Sequence, residues 1–224
     1  MPTTLSTRYA DNSDVTEIGI DEVGRGPLFG RVYVAGTILP KLGEGEFNHT
    51  LMKDSKRFTS SSRLNEAYNH VIENCIDYEV CYEDEDVIDD INILQATQKA
   101  MHICVQTLIE RNNLDATKTI LLIDGNYFKP HMHFDKNKGQ WTCYDHVCIK
   151  GGDNLYTSIA AASIVAKVER DRYIADMCEQ NPELDEKYSI ASNKGYGAKK
   201  HLDGIRCHGI TKWHRKTFGI CKGF

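Results

Sequence analysis

Several features are scarce or missing in this 224-residue chain, and each absence narrows what it can be. No apolar run approaches the length of a membrane span, and the amino terminus, MPTTLSTRYADNSDVTE, lacks the apolar core of a secretory leader. The expectation is a soluble, cytoplasmic protein that does not enter a membrane. Eight cysteines are present without a single CxxC pair, and their scatter fits reduced thiols better than a disulfide framework. There is no internal repeat and no low-complexity tract. Basic residues are absent from 73–90, a stretch that holds nine acids.

What is present is a chain with 41% hydrophobic and 26% charged residues, enough for one sizeable α/β core. The net charge of -5 argues at first against a nucleic-acid partner, because phosphate contacts need Lys and Arg. The distribution reverses that inference. Residues 194–224 carry eight Lys or Arg against the single Asp203, a local balance of +7. A basic carboxy-terminal face can bind a polyanion while the acidic stretch stays turned to solvent. The expected organisation is a flexible segment over 1–16, an α/β core over 17–180, and a helical, basic segment of the same domain over 181–224, in a monomer.

Taken in order, 17–23 reads as a strand, 24–30 as a glycine-rich turn and 31–39 as a second, antiparallel strand. The segment LMKDSKRF, 51–58, places three cationic residues around Asp54 and Ser55 and has the character of a second phosphate-contacting loop. Ser60, Ser61 and Ser62 offer caps for a helix running to about Asn74. A strand over 78–82, a short helix or turn over 86–92 and an uninterrupted helix over 93–111 follow. The apolar run TILLI, 119–123, reads as a buried strand that delivers Asp124 at its carboxyl end. Beyond it come a loop over 126–142, a strand over 144–149 and a helix over 158–178. Helices over 198–207 and 212–217 would present Lys199, Lys200, His201, Trp213, His214 and Arg215.

The stretch GIDEVGRGPLFG, 19–30, concentrates the chemistry. Asp21 and Glu22 end an apolar run, where an uncompensated charge is costly, so a cation belongs beside them. Gly24, Gly26 and Gly30 let the backbone approach a ligand, and Arg25 offers a planar fork suited to phosphate. With Asp124 and Asp153, these acids suit hard divalent ions that clamp a phosphoryl group. A plainer reading is also open, since Asp is common at turns and strand ends, and spacing alone does not separate the two. Successive strand side chains point to opposite faces, so either a bulge or turn begins at Glu22, the favoured expectation, or Glu22 serves differently, by its backbone carbonyl or through water. His131, His133, Cys143, His146 and Cys148 raise a zinc alternative, but HxH plus CxxHxC lacks the paired spacing of common zinc modules.

Over nearly its whole length the chain resembles ribonuclease HII, the type 2 ribonuclease H family. The resemblance rests on seven blocks in order: GIDEVGRGPLFG, KDSKRF, INILQAT, LLIDGN, KGGDNLYTSIAAASIVAKVERD, NKGYGAKKHLD and HGITKWHRKTFG. It implies an α/β fold, an RNase H-like mixed sheet flanked by helices, with a helical carboxy-terminal part. It implies an endonuclease that hydrolyses RNA within RNA/DNA hybrids and cuts 5′ of single ribonucleotides embedded in duplex DNA, using Mg²⁺ or Mn²⁺. By matching position, Asp21, Glu22, Asp124 and Asp153 are the family's metal-site acids. Gly24, Arg25 and Gly26 match its GRG element, Tyr196 its junction-stacking tyrosine, and Lys56 and Lys167 its lysines near phosphate. Asn193 stands where the family often has His, Ala198 where it often has Thr, and Gly151 with Gly152 makes the KGD element one glycine longer. A non-catalytic hybrid-binding module is the alternative, and it would be expected to have lost acids.

Overall fold

The structure, a computed structural model, describes residues 4–12, 14–135 and 139–224. Its frame is a five-stranded sheet formed by β1 (Thr16–Val23), β2 (Val32–Ile38), β3 (Asp77–Glu83), β4 (Thr119–Asp124) and, counting a small hairpin of β5 (Met132–Asp135) and β6 (Gln140–Cys143) in between, β7 (Asp145–Ile149). The strand order is β3-β2-β1-β4-β7. The β1–β2 and β2–β3 pairs are antiparallel, whereas β1–β4 and β4–β7 are parallel. This is the mixed sheet that the resemblance implied.

Helices cover both faces. On one side lies α2 (Glu85–Arg111), and on the other α1 (Ser61–Asn74) and α3 (Thr157–Gln180). Strand alternation assigns the side chains of β1 to these layers. Ile18 and Ile20 join Met101, Cys104, Val105 and Leu108 of α2 in one core cluster. Gly19 and Asp21 therefore turn towards α3, whose first half, from Thr157 to Ala166, is entirely buried. Gly19 is the point of closest approach between the layers: a Cβ there would stand 2.3 Å from the Ser158 carbonyl carbon.

The carboxy-terminal part adds α4 (Glu183–Tyr188), α5 (Ile190–Asn193) and α6 (Lys199–His208). Its backbone is laced to the glycine turn after β1. Leu28 N donates to Gly195 O at 2.8 Å, Gly30 N to Trp213 O at 2.9 Å and Arg215 N to Leu28 O at 2.8 Å. The expected helix over 212–217 does not form. Thr211 N donates to His214 Nδ1 at 3.0 Å, closing a turn, and His214 forms an isolated antiparallel bridge with Phe29. Consequently His201, His214 and Arg215 are fully buried instead of presented at the surface.

Two other segments differ from expectation. The loop over 126–142 contains the β5–β6 hairpin, in which Phe134 pairs with Trp141. The helix over 93–111 is continued backwards to Glu85, with a break at Asn92, where φ is 68° and the side-chain oxygen caps Leu94 N and Gln95 N. The expected flexible segment over 1–16 lies partly outside the described residues. Of its described part, Ser6 is held by Ser6 N to Leu155 O at 2.7 Å and Thr157 N to Ser6 O at 2.9 Å. Among the described residues no helix is long and apolar enough to cross a membrane.

Candidate active site

The carboxyl ends of β1 and β4 lie side by side, in register up to Ile20 opposite Ile123. Each strand then delivers an acid towards α3: Asp21 from β1 and, by the alternation that sends Leu121 and Ile123 to the other core, Asp124 from β4. Asp21 is buried, and its own carboxylate accepts the Glu22 amide at 2.7 Å. Burial, followed by the charges of Glu22 and Asp124, raises its carboxyl well above the usual carboxylate range, against a hydrogen bond from Ser163 of α3. Ser163 Oγ is in turn 3.0 Å from Ser55 Oγ, so the 51–58 loop is tied to Asp21 through two buried hydroxyls.

Asp124 accepts the Gly152 amide at 2.7 Å. That bond links it to the short turn Gly152–Asn154, which carries Asp153. The additional glycine of this element is absorbed locally. Gly151 takes a left-handed conformation, φ 68°, that few other residues adopt without strain, and Asp153 stays buried beside Asp124. Burial first, then the charges of Asp54 and Asp124, raise the Asp153 carboxyl. Asn154 Nδ2 reaches both Asp153 Oδ1 at 3.0 Å and Asp54 Oδ2 at 3.3 Å, which joins this turn to the 51–58 loop. Lys56 belongs to that loop; burial alone would lower its ammonium pKa, but Asp54, Asp153, Asp21 and Asp124 together raise it.

The bulge expected at Glu22 is absent. Asp21 faces Ala35, Glu22 faces Val34 and Val23 faces Tyr33 with no residue skipped, because the β1–β2 ladder continues past the point where β4 ends. Glu22 thus leaves the opposite face of β1 from Asp21, at the sheet edge. There it meets Arg25 at 3.2 Å, and burial raises its carboxyl more than Arg25 lowers it.

Tyr196 stands half exposed next to the glycine turn, its ring edge 3.6 Å from where a Cβ on Gly26 would lie. Its backbone is fixed by a chain of buried groups. Because Thr211 N–H donates to His214 Nδ1, the His214 proton sits on Nε2 and is donated to His201 Nε2 at 3.0 Å. His201 Nδ1–H is then left to donate to Tyr196 O at 2.9 Å. Gly24, Arg25, Gly26 and Tyr196 are therefore brought together, and Lys56 is brought to the acids. Lys167, one turn of α3 beyond Ser163, is engaged by Asp171 a further turn on, at 2.6 Å.

Asp21, Asp124 and Asp153 lie close enough to raise one another's carboxyls, with Glu22 near Asp124 from the adjoining face, and they offer oxygen donors only, which fits a hard divalent ion. Among the described residues no three His, Cys, Asp or Glu side chains close into a ready-made cage. In the zinc alternative, His131 and His133 share the side chain of Gln106, at 2.8 and 2.9 Å. Sequence reasoning passed over Ser55, Asp54 and Ser163 as site residues; the nearest signal was their place inside the KDSKRF and SIAAAS blocks.

A family model described as Ribonuclease HII matches residues 18–221. The chain belongs to the ribonuclease HII family. It is 40% identical over 202 residues to the ribonuclease HII of Cytophaga hutchinsonii, covering 90% of this chain and 88% of that one. Among solved structures it is similar to the ribonuclease H2 of Pyrococcus horikoshii OT3, with a TM-score of 0.66 at 20% identity, over 93% of this chain and 96% of the other. It is also similar to Bst-RNase HIII in complex with Mn²⁺, with a TM-score of 0.62 at 14% identity, over 87% and 70% of the two chains. Those two likenesses support the fold. Membership of the family makes the chain an enzyme, a ribonuclease H that acts as an endonuclease on the RNA strand of RNA/DNA hybrids. Nothing in the comparisons favours a non-catalytic hybrid-binding module.

Proposed function

We propose that this ribonuclease H also recognises single ribonucleotides embedded in duplex DNA and cuts on their 5′ side, in a divalent-metal-dependent hydrolysis that leaves 5′-phosphomonoesters. The observation that carries the reading is the placement of a buried, cation-deficient carboxylate edge beside a glycine turn that carries Tyr196 against Gly26. Asp21, Glu22, Asp124 and Asp153 would hold Mg²⁺ or Mn²⁺. Bound there, the ions would polarise the scissile phosphate and lower the pKa of an attacking water.

The remaining work falls to the chain's own groups. Gly152 N–H holds one Asp124 oxygen in place, leaving the other for a ligand. Ser163 orients Asp21, and Lys56 sets a positive charge among the acids where the phosphate enters. Arg25 and the amides of 24–26 can read a 2′-OH and its flanking phosphate, the hydroxyl being what separates RNA from DNA. The Tyr196 ring offers a stacking surface at the same spot. Lys167 would join the phosphate contacts by leaving Asp171.

The test is cleavage of a DNA duplex with one embedded ribonucleotide, after removal of metal with a chelator and re-addition of Mg²⁺ or Mn²⁺. The expected result is metal-restored cutting at one position, 5′ of the ribonucleotide. Cutting only within continuous RNA tracts would overturn the junction reading, and full activity in chelator would overturn the metal reading.

A further inference from the structure

Two guanidinium groups lie inside the molecule directly behind the glycine turn. Arg170 and Arg215 are both essentially inaccessible to solvent. Among the described residues neither forms a salt bridge. Burying a charge is costly unless its hydrogen bonds are satisfied, and here carbonyl oxygens do all of that, while Glu85 and Asp89 attract Arg215 only from beyond ion-pair distance. Arg215 donates from NH2 to Gly24 O at 2.6 Å, from NH1 to Arg25 O at 3.0 Å and from Nε to Gly30 O at 2.8 Å. Arg170 donates to Arg31 O at 3.3 Å, to Phe29 O at 3.5 Å and to Lys194 O at 3.0 Å.

The pattern has a stereochemical consequence. In a trans peptide the carbonyl of one residue and the N–H of the next point in opposite directions. Drawing the carbonyls of Gly24 and Arg25 inward therefore turns the amides of Arg25 and Gly26 outward, and neither amide has an acceptor among the described residues. The same pair reaches the tyrosine element, since Arg170 grips Lys194, two residues before Tyr196, and its Cζ lies 5.9 Å from the Tyr196 ring. Gly24 has no room for a side chain because Arg170 fills the space: a Cβ would sit 2.4 Å from Arg170 Nε.

We propose that Arg215 and Arg170 are positioning residues for junction recognition: they lock the Arg25 and Gly26 amides and Tyr196 into one receptor, and their buried positive charge favours a phosphate docking on it. This rests on the junction reading above and says which residues build its specificity. Neither guanidinium touches substrate. A lysine at 215 keeps the charge but cannot reach three carbonyls in three directions.

The experiment measures kcat and KM of Arg215→Lys and Arg170→Lys on two duplexes, one with a single embedded ribonucleotide and one with a continuous RNA strand. Leu184→Ala, which opens the same carboxy-terminal core but removes no hydrogen bond to the turn, serves as the stability control, and melting temperatures are recorded for all. The expected result is a fall of about 30-fold in kcat/KM on the single ribonucleotide, mostly in kcat, against roughly 3-fold or less on continuous RNA. Leu184→Ala should lose equally on both. If Arg215→Lys does not fold, Arg170→Lys, which loses fewer contacts with the turn, decides the matter. Equal losses on both duplexes, or losses that follow melting temperature as in Leu184→Ala, would overturn the proposal. Failure of the unaltered enzyme to cut the single-ribonucleotide duplex would overturn the junction reading itself, and with it this refinement.

Discussion

Substituting Gly19 by alanine tests whether the site depends on the contact between β1 and α3. The new Cβ would lie 2.3 Å from the Ser158 carbonyl carbon, 2.6 Å from Ser158 O and 2.6 Å from Ile159 N. All three are backbone atoms of a buried helix, so no side chain can swing aside. Carbon atoms prefer separations of ~3.5–4.0 Å, so the layers must part by more than about 1 Å. Overpacking of this kind costs about 3 kcal/mol or more. For a chain of this size that is roughly 6–12 °C in melting temperature. The displacement also separates Asp21, two residues along β1, from Ser163, five residues beyond Ser158 on α3. A misplacement near 1 Å can cost about 100-fold, so kcat should fall roughly 10- to 100-fold at temperatures where the variant is folded. For melting, the comparator is Gly152→Ala, whose Cβ comes within 2.5 Å of the rotatable Ile159 Cδ1 and otherwise stands at ordinary contact, 3.4 Å from Ile149 Cβ and 3.5 Å from Asp124 Oδ1, and should cost about 1 kcal/mol or less. Thermal melting followed by calorimetry, with turnover on a hybrid substrate, decides the issue. A Gly19→Ala variant that melts and turns over like the parent would refute the argument.

Other outcomes follow from the charges around the site. Asp21→Asn should abolish most turnover yet raise the melting temperature of the chelator-treated protein at neutral pH, because it removes a carboxyl whose ionisation burial and the neighbouring acids make costly. A raised folded-state pKa means that stability is lost as pH rises from the ordinary carboxylate range through that raised value, so the same substitution should flatten this part of the pH–stability curve. Glu22→Gln, at the far face of β1, should retain more activity than Asp21→Asn in a metal titration on one substrate; equal inactivity at saturating Mg²⁺ would make its side chain a full partner. Tyr196→Ala should injure cleavage at a single ribonucleotide far more than in a long RNA tract, whereas Lys199→Ala or Lys200→Ala should weaken both alike and reduce the salt dependence. His214 is pushed down to about 4 by burial and then by His201, from an ordinary value near 6.5, so its contribution to stability is lost as pH falls between those values. His214→Gln should flatten the acid limb measured by denaturant titration at successive pH values, and an unchanged slope would remove this histidine from it.

The layers of the fold were legible because their signals are local. The TILLI run could only be a buried strand, and its last residue had to emerge at the strand's carboxyl end with Asp124 next. The same logic placed Asp21 and Glu22. It failed at the bulge because the length of the β1–β2 ladder beyond β4 is a tertiary fact, invisible in the order of Asp21, Glu22 and Val23. Residues 212–217 have a helical look by composition, but a histidine ring that caps Thr211 and pairs with Phe29 imposes a turn. Arg215 reads in sequence as one more surface charge in a basic stretch. Its burial follows from carbonyls nearly two hundred positions away, and no periodicity reports such a partner. Among the site residues, the acids announce themselves by type and place, whereas Ser55 and Ser163 carry no chemistry until the fold brings their hydroxyls to 3.0 Å.

The central claim is that four carboxylates at one sheet edge hold the ions that make this chain a nuclease, and single-turnover cleavage of an RNA/DNA hybrid by the parent and Asp124→Asn across a Mg²⁺ and a Mn²⁺ titration tests it most directly. The account predicts that the parent is silent in chelator and recovers with either ion. It predicts that Asp124→Asn, folded and melting at or above the parent's temperature without metal, stays at least about 100-fold slower at every metal concentration. Near-parental cleavage by Asp124→Asn, or cleavage by the parent without divalent ions, would contradict it.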